Sequence, residues 1–331
     1  MNIVARVAAV ACAVAVVAPS LARAQAAAPG GPAQGAAAPR TAWGDPDLQG
    51  TWTSDRDAGI PFERPAELRD KVVLEGDELA DVLEERAIQR ADSAPVAGGV
   101  TGAGPTHWYE NWAGDSPRTS MVVDPPDGRL PAQTDEAAVR AAARAAAAAA
   151  HGPADSYDDR SLWDRCITRT LPNVIFPTLY NNNIRIVQSP GYVAITHEMI
   201  HDTRVVPLDG RAPLSPAVRQ YMGDSRGRWE GSTLVVEVTN FTGKTAYRGT
   251  SDRLRLIEKY TRVAPDRMRY EVTIDDPRTF VRPWTAALNL TAQSEIFEYG
   301  CHEGNYAMTH ILSGARADDA AAGAAGAPTR R

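Results

Sequence analysis

The chain has 331 residues, of which 41 are Asp or Glu and 35 are Lys or Arg, so its formal charge is −6 at pH 7. An acidic chain without a run of Lys or Arg argues against a nucleic-acid partner. Apolar residues never continue over the roughly 17–25 positions that a membrane-spanning helix needs, so we expect no membrane span.

The first 24 residues have the pattern of a signal peptide. Arg6 precedes an apolar run at residues 7–18, and residues 22–24 have the small-x-small form of a cleavage site. The run of 12 residues is too short to anchor the chain in a bilayer. We therefore expect cleavage after Ala24 or Ala26 and a periplasmic or secreted protein. Removing residues 1–24, which include two Arg and no acid, moves the formal charge from −6 to −8.

Composition divides the remaining chain into three parts. Residues 25–40 are mostly Ala, Gly, Pro and Gln, and residues 317–331 are similarly biased. Such segments bury too little apolar surface to fold by themselves, so both are predicted to be disordered. Residues 41–316 are predicted to form a single β-rich domain.

Two cysteines, Cys166 and Cys301, remain after cleavage of the signal peptide. In an oxidising compartment, two cysteines far apart in sequence suggest one disulfide bond that closes a long loop. Two buried free thiols are the alternative.

Four segments have helical or loop features. Residues 76–92 place apolar side chains at roughly the helical period. Residues 134–150 are Ala-rich, with an N-cap at position 134 or 135, and their lack of large apolar side chains predicts a surface helix. Residues 161–171 are predicted to form a shorter helix, and the Gly/Pro-rich residues 95–106 a loop.

The remaining pattern is that of β-structure. Strands are predicted at residues 48–53, 184–188, 192–206, 233–241, 254–263 and 268–275. In the last of these, Met268, Tyr270 and Val272 alternate with charged or polar residues, and short turns join neighbouring strands. The pattern predicts a mainly β fold, an antiparallel meander that forms a barrel or a sandwich with a few peripheral helices.

The string His197-Glu198-Met199-Ile200-His201 is the most suggestive motif. On a helix, this spacing places both imidazoles on one face, where they bind zinc with the Glu as general base. β-Branched residues dominate both flanks, which instead predicts a strand, and on a strand residues four apart lie about 13 Å from each other. A hairpin that turns near Met199 would still bring the two histidines together, so zinc remains an alternative to a metal-free site.

The strand interpretation distributes the polar residues over two faces. His197 and His201 face one side, while Glu198, Asp202 and Arg204 face the other. Histidine is the side chain most easily tuned for proton transfer near neutral pH. We therefore expect His197 and His201 to be acid–base groups, with Glu198, Asp202 and Arg204 as orienting partners. A solvated charged face is the other interpretation.

Three further polar segments are secondary candidates. His302 and Glu303 follow Cys301 directly, so a disulfide would hold them rigidly as a general-base pair. Tyr180 precedes three amides that either orient a polar substrate or form a turn. Residues 222–231 are predicted to form a Gly-punctuated turn or loop at the barrel mouth. The second choices for catalysis are Tyr180, His302 and Glu303, and the substrate-binding candidates are Asn181, Asn182, Asn183, Asp224, Arg226 and Trp229.

Several strings together resemble a family of uncharacterised secreted bacterial proteins. The matching strings are Asp45–Trp52, Thr119–Gly128, Tyr180–Asn183, His197–Asp202, Met222–Gly231 and Cys301–Tyr306. The resemblance runs from about residue 45 to residue 317 and implies a secreted, β-rich domain, without an activity to carry over. Separately, Gly50-Thr51-Trp52 is similar to the Gly-x-Trp that opens lipocalin barrels.

These features lead to one functional hypothesis and two alternatives. The two cysteines that remain after signal cleavage are expected to be structural, which argues against a mechanism with a cysteine nucleophile. We expect a secreted enzyme that acts by general acid–base catalysis without a cofactor, as a lyase, isomerase or hydrolase on a small organic substrate in a barrel cavity. The alternatives are a lipocalin-like binding protein for an apolar ligand and a zinc-dependent hydrolase.

Overall fold

The computed structural model of the protein describes residues 39–68, 70–92, 114–178, 180–245 and 247–324. The predicted signal peptide, the predicted loop at residues 95–106 and all but the last two residues of the predicted linker lie outside these ranges. Within the described ranges, no helix is long and apolar enough to cross a membrane.

Ten strands of the described residues form one antiparallel sheet. They are β1 (Gly50–Thr53), β2 (Val122–Asp124), β3 (Asn183–Ser189), β4 (Tyr192–His197), β5 (Thr203–Pro207), β6 (Asp224–Glu230), β7 (Thr233–Thr239), β8 (Arg255–Ala264), β9 (Arg267–Asp275) and β10 (Trp284–Gln293). The order in the sheet is β5-β4-β3-β1-β10-β9-β8-β7-β6, and β2 also pairs with β10. The predicted mainly β, antiparallel fold is confirmed.

The core lies on one face of this sheet because apolar and polar side chains alternate along the strands. In β9, Met268, Tyr270 and Val272 are fully buried, whereas Arg269 and Glu271 on the opposite face are partly exposed. Buried side chains of neighbouring strands also face each other across the sheet. Tyr260 of β8, for example, pairs with Tyr270 of β9, and both side chains are buried. The sheet therefore encloses its own core.

The two edge strands, β5 and β6, contact each other but share no hydrogen-bonded ladder. Gly227 of β6 lies at this contact, where an added Cβ would be 2.7 Å from Cγ1 of Val206 and 2.6 Å from Cδ2 of Leu208. A glycine at this position therefore allows the edges to approach. The sheet is not closed by hydrogen bonds, so the predicted barrel is not confirmed.

Three α-helices occur in the described residues: α1 (Gly76–Asp92), α2 (Asp135–Ala149) and α3 (Ala307–Ala324). The helices predicted at residues 76–92 and 134–150 are confirmed. The Thr134 hydroxyl accepts a hydrogen bond from the amide of Ala137 at 3.2 Å and caps α2. Short 3₁₀ turns lie at Asp55–Asp57, Ala66–Leu68, Tyr157–Asp159, Asn173–Ile175, Met199–His201 and Tyr247–Gly249.

Two local predictions are wrong. Residues 161–171 form successive turns and no helix, because Cys166 (φ 54°) and Thr170 (φ 64°) adopt left-handed backbone conformations that a right-handed helix excludes. The predicted disordered tail starts at residue 317, yet α3 continues through residue 324. The alanine-rich composition of this stretch explains the difference, since alanine has the highest helix propensity.

Candidate functional site

A cleft of about 690 Å³, here called the acidic cleft, lies where four chain segments meet. The segments follow β1, precede β3, follow β4 and follow β10. The lining residues are Asp55, Tyr180, Asn181, Asn182, Asn183, Glu198, Gln293, Glu295, Phe297, Glu298, Tyr299, Gly300, Cys301, Glu303 and Asn305. Five are carboxylates, and none of these described lining residues is Lys, Arg or His. The cleft is therefore strongly electronegative.

The His-Glu-x-x-His string forms the turn between β4 and β5, so the continuous strand predicted at residues 192–206 is wrong. The amide of His197 donates to the carbonyl of Asp202 at 2.8 Å and closes the turn. Ile200 (φ 60°) and His201 (φ 47°) both adopt left-handed backbone conformations. A β-branched residue in this region is strained, and such strain is typical of functional segments.

This turn separates the two histidines that were predicted to act together. His197 points into the core and is 1% exposed, and neither ring nitrogen has a hydrogen-bond partner in the described part of the chain. Burial, with the Arg204 charge as a second cause, lowers the pKa of His197 well below its ordinary value. His201 is exposed. The prediction that both histidines face one side is therefore wrong.

The same separation bears on the zinc alternative. The two candidate ligands lie in different environments, one in the core and one at the surface. Among the described residues, no three or more His, Cys, Asp or Glu are grouped so as to hold a metal ion. The geometry of this turn gives the zinc alternative no support.

Glu198 is buried under the acidic cleft and joins two of its walls. One carboxylate oxygen accepts from the amide of Phe297 at 2.8 Å, and the other accepts from the amide of Asn183 at 3.3 Å. The amide of Glu198 donates in turn to the carbonyl of Asn183 at 2.9 Å. Glu198 therefore positions the cleft walls.

Arg204, predicted to be an orienting partner of the histidines, points into the core from β5. Its guanidinium forms a two-pronged ion pair with Glu258 of β8, with one contact at 2.7 Å, and it also donates to the Tyr260 hydroxyl at 2.9 Å. Arg204 is therefore a residue of the core.

Asp202 has a different partner. It accepts a hydrogen bond from the Thr168 hydroxyl at 2.7 Å. Burial raises the pKa of Asp202, against the opposing effects of this hydrogen bond and of the nearby His201. Asp202 and His201 are thus electrostatic neighbours, and the role of Asp202 as an orienting partner stays a prediction.

His201 reaches the rim of the acidic cleft through a backbone contact. Its Nδ1 lies 3.2 Å from the carbonyl oxygen of Tyr299, a residue of the cleft wall. A carbonyl only accepts hydrogen bonds, so Nδ1 carries the proton in this contact and Nε2 of the neutral ring is left as an acceptor.

The amide segment predicted to bind substrate lies in the acidic cleft, together with Tyr180. The Asn182 side chain donates to Asp55 at 2.7 Å, and its carbonyl oxygen accepts from the amide of Thr178 at 2.7 Å. Asn181 (φ 55°) adopts the left-handed conformation that the run of amides suggested. Asn182 therefore holds Asp55 in place.

The cysteines predicted to pair form a disulfide, with Cα atoms 5.7 Å apart. Of the two residues that follow Cys301, Glu303 lines the acidic cleft, whereas His302 is exposed and is not part of its lining. The predicted His302–Glu303 pair is therefore not brought together in this cleft.

The segment predicted as a Gly-punctuated loop is mostly strand β6, so that prediction is wrong. Asp224 accepts from the guanidinium of Arg226 at 2.6 Å and from the amide of Leu214 at 2.8 Å. Neither residue lines the acidic cleft, and Trp229 also lies outside its lining. These three candidates stabilise the β6 edge and are not placed at the candidate site.

Sequence reasoning missed half of the cleft lining. The missed residues are Asp55, Gln293, Glu295, Phe297, Glu298, Tyr299, Gly300 and Asn305. Most of them follow β10 in an irregular segment without periodicity. Its two glutamates, three residues apart and flanking an exposed phenylalanine, were the available signal.

Comparisons with known proteins show no family. No family model matches the chain, and no curated protein matches it. Among solved structures, the chain is similar to a secretary abundant heat soluble (SAHS) protein from Ramazzottius varieornatus, at 10% identity and a TM-score of 0.24, over 40% of this chain and 87% of that one. A TM-score this low supports no statement about function. The predicted resemblance to a secreted bacterial family stays a prediction.

Proposed function

We propose that the protein binds a small organic cation in the acidic cleft. The observation that carries this proposal is the charge of the cleft. Five of its lining residues are carboxylates, and none of the described lining residues is basic. Glu295, Glu298 and Glu303 are exposed and have no hydrogen-bond or ion-pair partner among the described residues. Like charges that face one cleft repel each other, so a bound cation would relieve that repulsion.

The aromatic residues of the cleft support an organic cation over a hydrated metal ion. Tyr180, Phe297 and Tyr299 line the same space as the carboxylates, and the Phe297 side chain is 54% exposed. An aromatic ring face attracts ammonium and guanidinium groups, and it also packs against their carbon skeletons. An exposed phenylalanine beside unpaired glutamates is typical of such recognition.

A location outside the cytoplasm, which the signal-peptide pattern predicts, would suit a protein that binds a small molecule there. An intramolecular disulfide is compatible with an extracellular or periplasmic compartment. The apolar-carrier alternative has less support, because the apolar face of the sheet is occupied by its own core side chains.

The test uses a matched pair of probes, 2-phenylethylammonium and its neutral analogue 2-phenylethanol, titrated into the mature protein by calorimetry. We expect the cation to bind at least tenfold more tightly than the alcohol. Glu298→Gln and Glu303→Gln should each weaken the cation severalfold, since each removes one unpaired charge. Glu67→Gln, an exposed carboxylate outside the cleft, is the matched control and should leave binding unchanged. Equal binding of both probes would contradict the proposal.

A second candidate function is general acid–base catalysis on the ligand bound in this cleft. The observation that favours it is the contact of His201 Nδ1 with the Tyr299 carbonyl at 3.2 Å, which leaves Nε2 as a proton acceptor at the rim. Nitrogen-correlated NMR, at a pH where the imidazole of His201 is neutral, should show the tautomer with the proton on Nδ1. His201→Ala should abolish turnover of any compound that the protein converts while the far-UV spectrum stays native. Unchanged turnover would remove His201 from the mechanism.

A further inference from the structure

A second cleft, of about 620 Å³ and here called the basic cleft, has the opposite charge. Its lining residues are Phe62, Ser161, Leu162, Trp163, Thr168, Arg169, Thr170, Asn173, Phe176, Lys244, Thr245, Tyr247 and Arg248. Three of these are cationic, and no Asp or Glu occurs among the described residues that line it. Its positive charge is therefore not neutralised within the cleft.

Arg169 is the most enclosed of the three cations. Its guanidinium carbon lies 4.1 Å from the centre of the Trp163 ring, and no described residue forms an ion pair with it or accepts a hydrogen bond from its side chain. Burial lowers the pKa of Arg169, against the opposing effect of Tyr180 and Tyr299. A half-buried guanidinium without a carboxylate is unfavourable unless an anion pairs with it.

Arg248 presents a second guanidinium held in a fixed orientation. Its guanidinium carbon lies 3.7 Å above the centre of the Phe62 ring, and its Nε donates to the Tyr247 hydroxyl at 3.2 Å. The residue adopts a left-handed backbone conformation, with φ 49°. The remaining N–H groups of this stacked fork have no described acceptor, so they are available for a ligand.

Aromatic rings form the floor between these cations. Phe176 packs edge-to-face on Phe62 with ring centres 5.4 Å apart, and it stacks on Tyr247 at 6.1 Å with an interplanar angle of 15°. Burial raises the pKa of Tyr247 to about 12, so its phenol stays neutral at physiological pH. The floor of the cleft is thus aromatic and uncharged.

We propose that the basic cleft binds a small carboxylate carried on a planar ring, an aryl carboxylate. Arg169 and Arg248 would pair with the carboxylate, since guanidinium groups match its two oxygens. The ring would pack on the aromatic floor, which an inorganic anion cannot use. A volume of about 620 Å³ is also in the range of small-molecule sites and much larger than a single inorganic ion. This site shares no lining residue with the acidic cleft and does not depend on the function proposed there.

The test is calorimetric titration of the mature protein with benzoate, benzyl alcohol and inorganic phosphate. We expect benzoate to bind at least tenfold more tightly than either of the others, because only benzoate has both the charge and the ring. Benzyl alcohol or phosphate binding as tightly as benzoate would overturn the proposal, as would the absence of benzoate binding.

Variants assign the site. Arg169→Met and Arg248→Met keep the apolar stem and remove the charge, so each should weaken benzoate at least tenfold. Lys244→Met changes an exposed side chain, so its fold should be unaffected, and it should weaken benzoate about threefold. Arg267→Met, at the first residue of β9 and outside the basic cleft, is the control and should bind benzoate like the wild type. Benzoate affinity that is unchanged in both Lys244→Met and Arg248→Met would place the anion elsewhere and overturn the proposal.

Discussion

Arg204 and Glu258 form an ion pair inside the sheet, with side chains that are 6% and 0% exposed. The two residues are on β5 and β8, which are not neighbours in the sheet. The hydroxyls of Tyr260 and Tyr270 donate to the same carboxylate at 3.0 and 2.9 Å. Burial, with the Glu258 charge beside them, raises the pKa of both phenols well above the ordinary value. This network ties the two sides of the enclosed core together.

Removing one member of this ion pair should destabilise the protein strongly. Glu258→Gln leaves the Arg204 charge buried without a carboxylate, so we expect the free energy of unfolding to fall by about 3–5 kcal/mol. The measurement is urea denaturation. Arg228→Ala, which breaks the exposed pair with Glu230, is the control and should cost about 1 kcal/mol or less. A Glu258→Gln variant as stable as that control would show that the pair does not hold the core.

Replacing both partners should cost less than the two single changes together. Arg204→Met combined with Glu258→Leu leaves no buried charge without a partner, so its loss of stability should be smaller than the sum of the single losses. The four proteins of this double-mutant cycle are compared by urea denaturation under the same conditions. Additive losses would argue against a direct interaction.

His197 should make the protein less stable in acid. Because burial lowers its folded-state pKa, the unfolded chain binds a proton below pH ~6.5 that the folded chain does not. The free energy of unfolding should therefore fall by about 1.4 kcal/mol per pH unit from this residue, until the pH reaches the folded-state pKa. His197→Leu should remove this contribution, as urea denaturation at pH 7.5 and 5.5 would show. The same pH dependence in both proteins would mean that folding does not lower the pKa of His197.

The Cys166–Cys301 disulfide should contribute substantially to stability. It closes a loop over a sequence separation of 135 residues, and a cross-link of this kind typically stabilises a protein by about 2–5 kcal/mol. The Cys166→Ala/Cys301→Ala variant should also bind 2-phenylethylammonium more weakly, because Cys301 is part of the acidic cleft wall. Thiol titration of the denatured mature protein should find no thiols without reductant and two with it. Two free thiols without reductant would contradict the disulfide.

A side chain at Gly227 should destabilise the protein, because strands β5 and β6 lie too close together there to accommodate one. An added methyl group would lie 2.6 Å from Leu208 and 2.7 Å from Val206, so Gly227→Ala should cost about 1–3 kcal/mol through overpacking. Gly243→Ala is the matched control, since nothing lies within 4 Å of its added Cβ and its backbone is not left-handed. Thermal denaturation of both variants tests the difference. Equal melting temperatures would mean that the edges move apart freely.

The sequence by itself determined the features that depend on neighbouring residues. The alternation in β9, the alanine-rich α2 with its Thr134 cap and the antiparallel meander were all predictable, because side-chain period and capping are local properties. The pairing of Cys166 with Cys301 was also predictable, because these are the two cysteines outside the predicted signal peptide. The segment of Tyr180 and the three amides was correctly singled out, and it lines the acidic cleft.

Tertiary structure decided where the chemistry lies. The alternation of β4 points His197 into the core, and two left-handed residues, Ile200 and His201, then turn the chain towards β5, with His201 at the surface. Arg204 pairs with Glu258, which lies 54 residues further along the chain, and no local sequence pattern predicts a pairing over that distance. The glutamates that follow β10 became a cleft wall because Glu198 and the disulfide hold that segment in place. Local sequence specifies strands and helices, whereas contacts between distant segments specify which side chains share a site.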